Sequence, residues 1–245
     1  MGEEQICLAC IASGSGTDFE SIAKAWLAGW IPEVSSIVLI ATAEKNKDGE
    51  ELGCITKAKK QSIPYKVVVP VNKELPREEL GAALEALGGV DLIFLVGCIF
   101  KIPNTITVEV MDCCIPTYNI HPADPKEHGG QGMYGLEVHM HVLTAINDKY
   151  ERGMASLNDR FFTTPTVHEV VDDYDQGKEL MRVQVEIPHE IVRAFVTGVF
   201  EEEGFEDIAE KLQKVVLPYE HQMLPLAVRI AAKRIIDQKK QRKGG

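Results

Sequence analysis

Three short segments of this chain carry side chains whose types and spacing suit chemistry. In Asn119-Ile120-His121-Pro122 an amide and an imidazole stand two residues apart at the end of an apolar run. Residues two apart on a strand share a face, so both groups can converge on one substrate atom. An amide N–H and a protonated imidazole would stabilise the negative charge that builds on a carbonyl oxygen during acyl transfer. The same imidazole could move protons as the leaving group departs. The alternative is that Asn119 and His121 are structural residues, hydrogen-bonded at a strand end.

The second segment, Ser13-Gly14-Ser15-Gly16-Thr17, follows one apolar run and precedes a helical one. Glycines let the backbone turn tightly and approach an anion, and the amides and dipole of the helix start favour a phosphate there. It is neither a G-x-G-x-x-G fingerprint nor a Walker loop, because no Lys follows. A plain βα turn, with Thr17 or Asp18 capping the helix, reads equally well. The third segment is the acidic turn Asp172-Asp173-Tyr174-Asp175-Gln176-Gly177. A carboxylate in it could orient His121 and raise its pKa. An ordinary hairpin turn would use the same residue types.

The elements that must position these groups alternate. Apolar runs at Ile6–Ala12, Ser36–Ala41, Tyr65–Val69 and Asp91–Val96 are separated by helical patterns at about 18–29, 50–61 and 76–87. This β-α order, with Ile, Leu and Val filling the short runs, predicts a mostly parallel twisted sheet flanked by helices, an α/β fold that binds ligands at the carboxyl ends of its strands. Thr117–Ile120 reads as one more strand, His121–Gly135 as a Gly-rich loop and Glu137–Asp148 as a helix. Thr164–Val171 and Leu180–Ile187 read as a late antiparallel pair joined by the acidic turn. A long helix over Glu206–Gln238, interrupted near Pro218 and Pro225, closes the chain. No repeat, linker or membrane-spanning run is found. One domain over 1–245 is expected, with 1–118 as a phosphate-binding half, 119–205 as a catalytic half and 206–245 as the terminal helix and basic tail.

At 245 residues the chain can bury a sizeable core, and its 45% hydrophobic and 26% charged content is that of an ordinary globular protein. The net charge of −11 argues against a broad nucleic-acid surface. The basic residues from Lys233 to Lys243 suit the end of a helix. The first residues lack a basic segment followed by an apolar run, so export is not expected. Cys7 and Cys10 have redox-motif spacing inside an apolar strand, where thiols behave as small hydrophobes. Cys54, Cys98, Cys113 and Cys114 complete the set, with Cys113 and Cys114 pointing to opposite faces of any strand. None has zinc-site spacing, and the histidines are scattered over different elements, so neither a disulfide nor a metal is expected.

Taken in order, these segments resemble the phosphoribosylglycinamide formyltransferases, purine-synthesis members of the folate-dependent formyltransferase family, over most of the chain. Ser13–Asp18 matches that family's S-G-x-G-[ST]-N loop except for Asp18. "NIHP" at Asn119–Pro122 is identical to its catalytic motif, and "VHEVVDDYDQG" puts Asp175 at its catalytic aspartate. "VGCIFKIP" at Val96–Pro103 is similar to its folate-lining segment, "EHQMLP" supplies Glu220, and Arg77 in "PREEL" falls where a folate- or substrate-contacting Arg often stands. The resemblance implies a Rossmann-like formyltransferase fold. It also implies formyl transfer from 10-formyltetrahydrofolate, a co-substrate, to the amine of glycinamide ribonucleotide in purine synthesis. The implied catalytic residues are Asn119, His121 and Asp175. Gly14, Ser15, Gly16, Thr17 and Glu220 would hold the nucleotide, and Arg77, Cys98, Ile99, Phe100, Lys101 and Ile102 the folate, without a metal. A cytoplasmic enzyme with small-molecule partners follows, with no membrane or nucleic-acid contact and a homodimer allowed. The chain departs from the pattern in "ADPKEHGGQGMYG" after the catalytic motif, in Lys178, and in extra residues near 150–162 and 188–203. A formyltetrahydrofolate hydrolase, a nucleotide-sugar amine formyltransferase and a binding protein without catalysis stay open as rivals.

Overall fold

The computed structural model describes residues 4–102, 115–171, 173–198 and 204–244. They divide into two compact units, Met1–Ile120 with Leu224–Gly245, and His121–Met223. Cys113, Cys114, Pro103 and Asp172 lie outside the described residues.

The first unit is built on the apolar runs. β1 (Ile6–Ala12) and β2 (Val34–Ala41) pair in parallel along their whole length, β3 (Tyr65–Val67) adds to β2, and β4 (Leu92–Leu95) and β5 (Thr117–His121) extend the other side. The order is β3-β2-β1-β4-β5. Residues of β1 from Leu8 to Ala12 are fully buried, as expected of a strand covered on both faces. Chain order reverses between β1 and β4, the topological switch point where such sheets open a crevice at their carboxyl ends. α1 (Thr17–Leu27), α2 (Gly53–Lys60) and α3 (Arg77–Ala86) connect the strands. α1 buries Phe19, Ile22, Ala23 and Ala25 on one face, and Asp18 and Glu20 complement the dipole in its first turn.

The second unit holds the short α4 (Pro125–His128), α5 (Leu136–Glu151), the strands β6 (Phe161–Thr163), β7 (Thr166–Glu169), β8 (Glu179–Arg182) and β9 (Val185–Ile187), and α6 (His189–Thr197). Its core joins Val138, Val142 and Leu143 of α5, Ile191, Val192 and Phe195 of α6, and Ile208, Leu212 and Val216 further on. The late strand pair is more divided than its sequence suggests. β7 pairs antiparallel with β8, while β9 turns away to pair antiparallel with β6. The apolar pattern of Leu180–Ile187 is continuous, and only the partner strand β6, lying in the segment of extra residues, reveals the break. The second segment of extra residues supplies α6.

The last helix, α7 (Phe205–Gly244), runs 40 residues without the interruption expected at its prolines. A proline inside a helix removes one hydrogen bond and crowds the preceding turn. Here Pro218 is exposed and Pro225 only partly buried, both off the buried stripe of Leu212, Val216, Met223, Leu224, Ala227, Val228, Ala231 and Ala232. Tertiary burial of that stripe outweighs the local cost. Three of the basic residues of α7 are paired: Arg229 bonds Glu33, Lys239 bonds Asp91 and Lys243 bonds Glu4. Asp91 also accepts from the Cys7 amide at 2.8 Å.

Candidate active site

In the first unit, the Gly-rich loop is shaped from below. Gly16 caps α1 with φ 71°, and a Cβ there would stand 2.5 Å from Cys54, so both backbone angle and space demand glycine. The Cys54 amide donates to Gly14 O at 3.1 Å, and a Cβ on Gly53 would come within 2.7 Å of Ser15 O. The start of α2 therefore presses against the loop and holds it. Gly14, by contrast, has nothing within 4 Å of where a Cβ would lie. The loop is fixed on one side and open on the other, which suits a cradle for an anion at the start of α1.

The segment after β4 is bound to this loop. Ser13 N donates to Gly97 O at 3.2 Å, and Ile99 N donates to Ser13 Oγ at 3.3 Å. Cys98 is turned inward, its Sγ toward Phe100 O, and burial pushes its thiol pKa up. Lys101 pairs on both sides with the stretch before α3: Leu75 N donates to Lys101 O at 2.8 Å and Lys101 N to Lys73 O at 3.1 Å. Arg77, exposed at the first position of α3, follows directly. The structure thus gathers Gly14–Thr17, Cys98–Ile102 and the segment carrying Arg77 at the carboxyl ends of the parallel strands. Asn119, on β5, is in register with Leu95 of β4, at the same end.

His121, two residues on and 2% exposed, is organised by the second unit. Its Nε2 lies 3.0 Å from His128 O. A carbonyl only accepts, so Nε2 carries the proton and Nδ1 is the nitrogen left to exchange one. Burial lowers the His121 pKa; Asp175, His128 O and Asp124 work in the opposite direction without prevailing. The resting imidazole is neutral, not the protonated form that an oxyanion donor calls for.

Asp175 sits in the turn between β7 and β8 with φ 56°, an uncommon backbone conformation for a non-glycine residue. Its Oδ2 accepts from Gly130 N at 2.9 Å, and Oδ1 lies 3.4 Å from His168 Nε2. Burial raises its pKa, but the contacts with His168 and Gly130 and the nearness of His121 together hold the carboxyl below the ordinary range. No hydrogen bond joins Asp175 to His121. Their interaction is electrostatic, and the bond orienting His121 comes from the His128 backbone, contrary to the expectation that Asp175 orients the ring directly. Only glycine fits beside this turn: a Cβ on Gly177 would overlap Glu169 O at 1.6 Å, and one on Gly129 would meet Pro125 O at 2.2 Å and Asp175 Cβ at 2.9 Å.

His168, His128 and the Gly130 amide are the participants that residue spacing alone did not reveal. His168 is 2% exposed, with Nδ1 2.9 Å from Glu169 O. The V-H that precedes the acidic turn was its only trace in the sequence. Glu220 is 6% exposed on α7 in the second unit. Cys10 and Cys54 are buried free thiols, their pKa values pushed up by desolvation, to about 11 for Cys54. Among the described residues no group of three or more His, Cys, Asp or Glu is placed to hold a metal ion, and no helix is long and apolar enough to cross a membrane.

Residues 7–228 match the family model described as formyl transferase. Phosphoribosylglycinamide formyltransferase, chloroplastic, of Arabidopsis thaliana is 30% identical over 184 residues, covering 74% of this chain and 55% of the relative. The protein of the same name from Vigna unguiculata is 28% identical over 220 residues, covering 88% of this chain and 57% of the relative. This chain thus spans just over half the length of these relatives. Among solved structures, glycinamide ribonucleotide transformylase 1 from Geobacillus kaustophilus shares the fold, with TM-score 0.61 and 21% identity over 94% of this chain and 100% of the other.

Proposed function

We propose that this chain, which belongs to the formyl transferase family, transfers a formyl group from 10-formyltetrahydrofolate to the amine of glycinamide ribonucleotide. The observation that carries the acceptor is the loop Ser13–Thr17, fixed by Cys54 and Gly53 yet open above Gly14, which suits the phosphate of a small phosphoribosyl amine. The names of the two plant relatives point the same way. The segment Cys98–Ile102 and Arg77 would hold the folate, whose part is to supply the formyl carbon. Glu220 would contact the ribose.

Asn119 donates its amide N–H to the formyl oxygen as negative charge builds there during attack by the amine. Neutral His121 takes the proton that the attacking amine must shed, through Nδ1, because Nε2–H is committed to His128 O. Asp175, held ionised, offsets the positive charge that His121 acquires, and the imidazolium returns its proton to the departing folate nitrogen. Holding both reactants in place contributes much of the remaining rate. The same reading takes the whole chain as one formyltransferase domain in the cytoplasm, with small molecules as partners.

The test is formyl transfer by the purified protein from 10-formyltetrahydrofolate to a panel containing glycinamide ribonucleotide, nucleotide-sugar amines and water. Glycinamide ribonucleotide should be the preferred acceptor, and Asn119→Ala should lower turnover by ~10²–10³ while leaving the fold intact. Comparable turnover with water as the acceptor, or full activity of Asn119→Ala, would overturn the proposal.

A further inference from the structure

The segment following the catalytic motif, Ala123 to Gly135, departs from the family pattern and supplies Asp175 with the Gly130 amide and His121 with the carbonyl of His128. That residue is held by more than its backbone. Its Nδ1 lies 3.0 Å from Nδ1 of His141, one turn into α5, with the two rings edge to face at 5.1 Å between centroids. Two Nδ1 atoms at this distance form a hydrogen bond only when one carries a proton and the other a lone pair. On its other side His128 Nε2 faces Glu127 at 3.7 Å. The groups acting on the ring are therefore His141 from α5, Glu127 from its own short helix, Asp124 at the N-cap of that helix, and His121 from β5.

We propose that His141 and His128 form a latch that positions His121, the pair fixing the carbonyl that selects the Nε2–H tautomer. α4 is only four residues long and cannot fix its own end. The cross-link to the 16-residue α5 supplies the rigidity, and the His128 carbonyl transmits it to the ring of His121. The latch holds one proton between its two Nδ1 atoms. A second proton would set two N–H groups against each other and break the bond.

His128 and His141 are thus positioning residues, and their role in turnover rests on the proposed formyl transfer. The test uses the full chain with ¹⁵N-labelled histidine. In the wild type at neutral pH, the His121 ring should report a single Nε2–H tautomer. His141→Ala should give averaged nitrogen shifts, a kcat about tenfold lower and little change in KM for either substrate. His141→Asn, whose amide can replace Nδ1, should restore most of both. His141 is exposed, so neither variant threatens the core. Unchanged His121 shifts in His141→Ala would overturn the latch, whatever the activity. A tautomer change in His141→Ala, with the wild type inactive toward every amine, would uphold the latch while sinking the formyl-transfer reading.

Discussion

Asp175 makes its electrostatic contribution without touching His121, and a substitution can isolate it. Asp175→Asn keeps the shape of the side chain and an acceptor for the Gly130 amide but removes the charge. Burial already lowers the His121 pKa and the carboxylate opposes that shift, so removing it should lower the value further. Because the neutral ring is the form that takes a proton, kcat/KM should fall only below the depressed His121 pKa. In the variant this acid limb should move to still lower pH, while the plateau drops by about 10²-fold because the imidazolium formed in turnover is left uncompensated. A pH profile of kcat/KM for both proteins decides the matter, and an acid limb moving toward higher pH would contradict the assignment. At this scale the sequence showed which residues could act but not their bonds. Asn119 and His121 were visible as a pair two apart on a strand. That His121 bonds to a backbone carbonyl seven residues on depends on how the intervening loop folds, which no side-chain pattern encodes.

Elements were legible wherever one face or both had to be buried. The apolar runs of β1, β2 and β4 and the helical spacing of α1 and α5 could be read because burial imposes those periods on the residue types themselves. Two elements differ from the sequence pattern for the opposite reason. The break between β8 and β9 leaves Leu180–Ile187 looking like one strand, since each half is bound by a different partner far away in sequence. The prolines of α7 signal an interruption that tertiary burial overrides. The turn between β7 and β8 shows how tightly an element can constrain a site. Gly177→Ala would drive a methyl group into Glu169 O and dislodge the strand end next to Asp175. It should cost about 1–3 kcal/mol of stability and most of the activity. Thermal unfolding and turnover should fall together in this variant, whereas an unchanged melting temperature would mean that the turn has room the structure does not show.

For the whole molecule, histidine is distributed unevenly. All seven histidines, from His121 to His221, lie in the unit His121–Met223, and the sheet of β1 to β4 has none. Three of them are held neutral by burial, His139 most strongly: it is 1% exposed, its Nδ1 has no hydrogen-bond partner, and its pKa falls from 6.5 to about 4. Folding lowers the pKa of these bases, so below 6.5 the unfolded chain binds protons that the native chain refuses. The stability that these histidines contribute is therefore full above pH 6.5 and is lost as pH falls below it, for His139 down to about 4. His139 alone accounts for about 3 kcal/mol over that interval. Acid should loosen the second unit first, and amide exchange corrected for intrinsic rates should rise in α5 and β7 before it does in β1 and β2. His139→Leu removes the titrating group and the orphaned nitrogen together, keeping an apolar side chain in the core of α5. Its melting temperature should fall less than that of the wild type between pH 6.5 and 4. Parallel curves for the two proteins would place the acid sensitivity elsewhere.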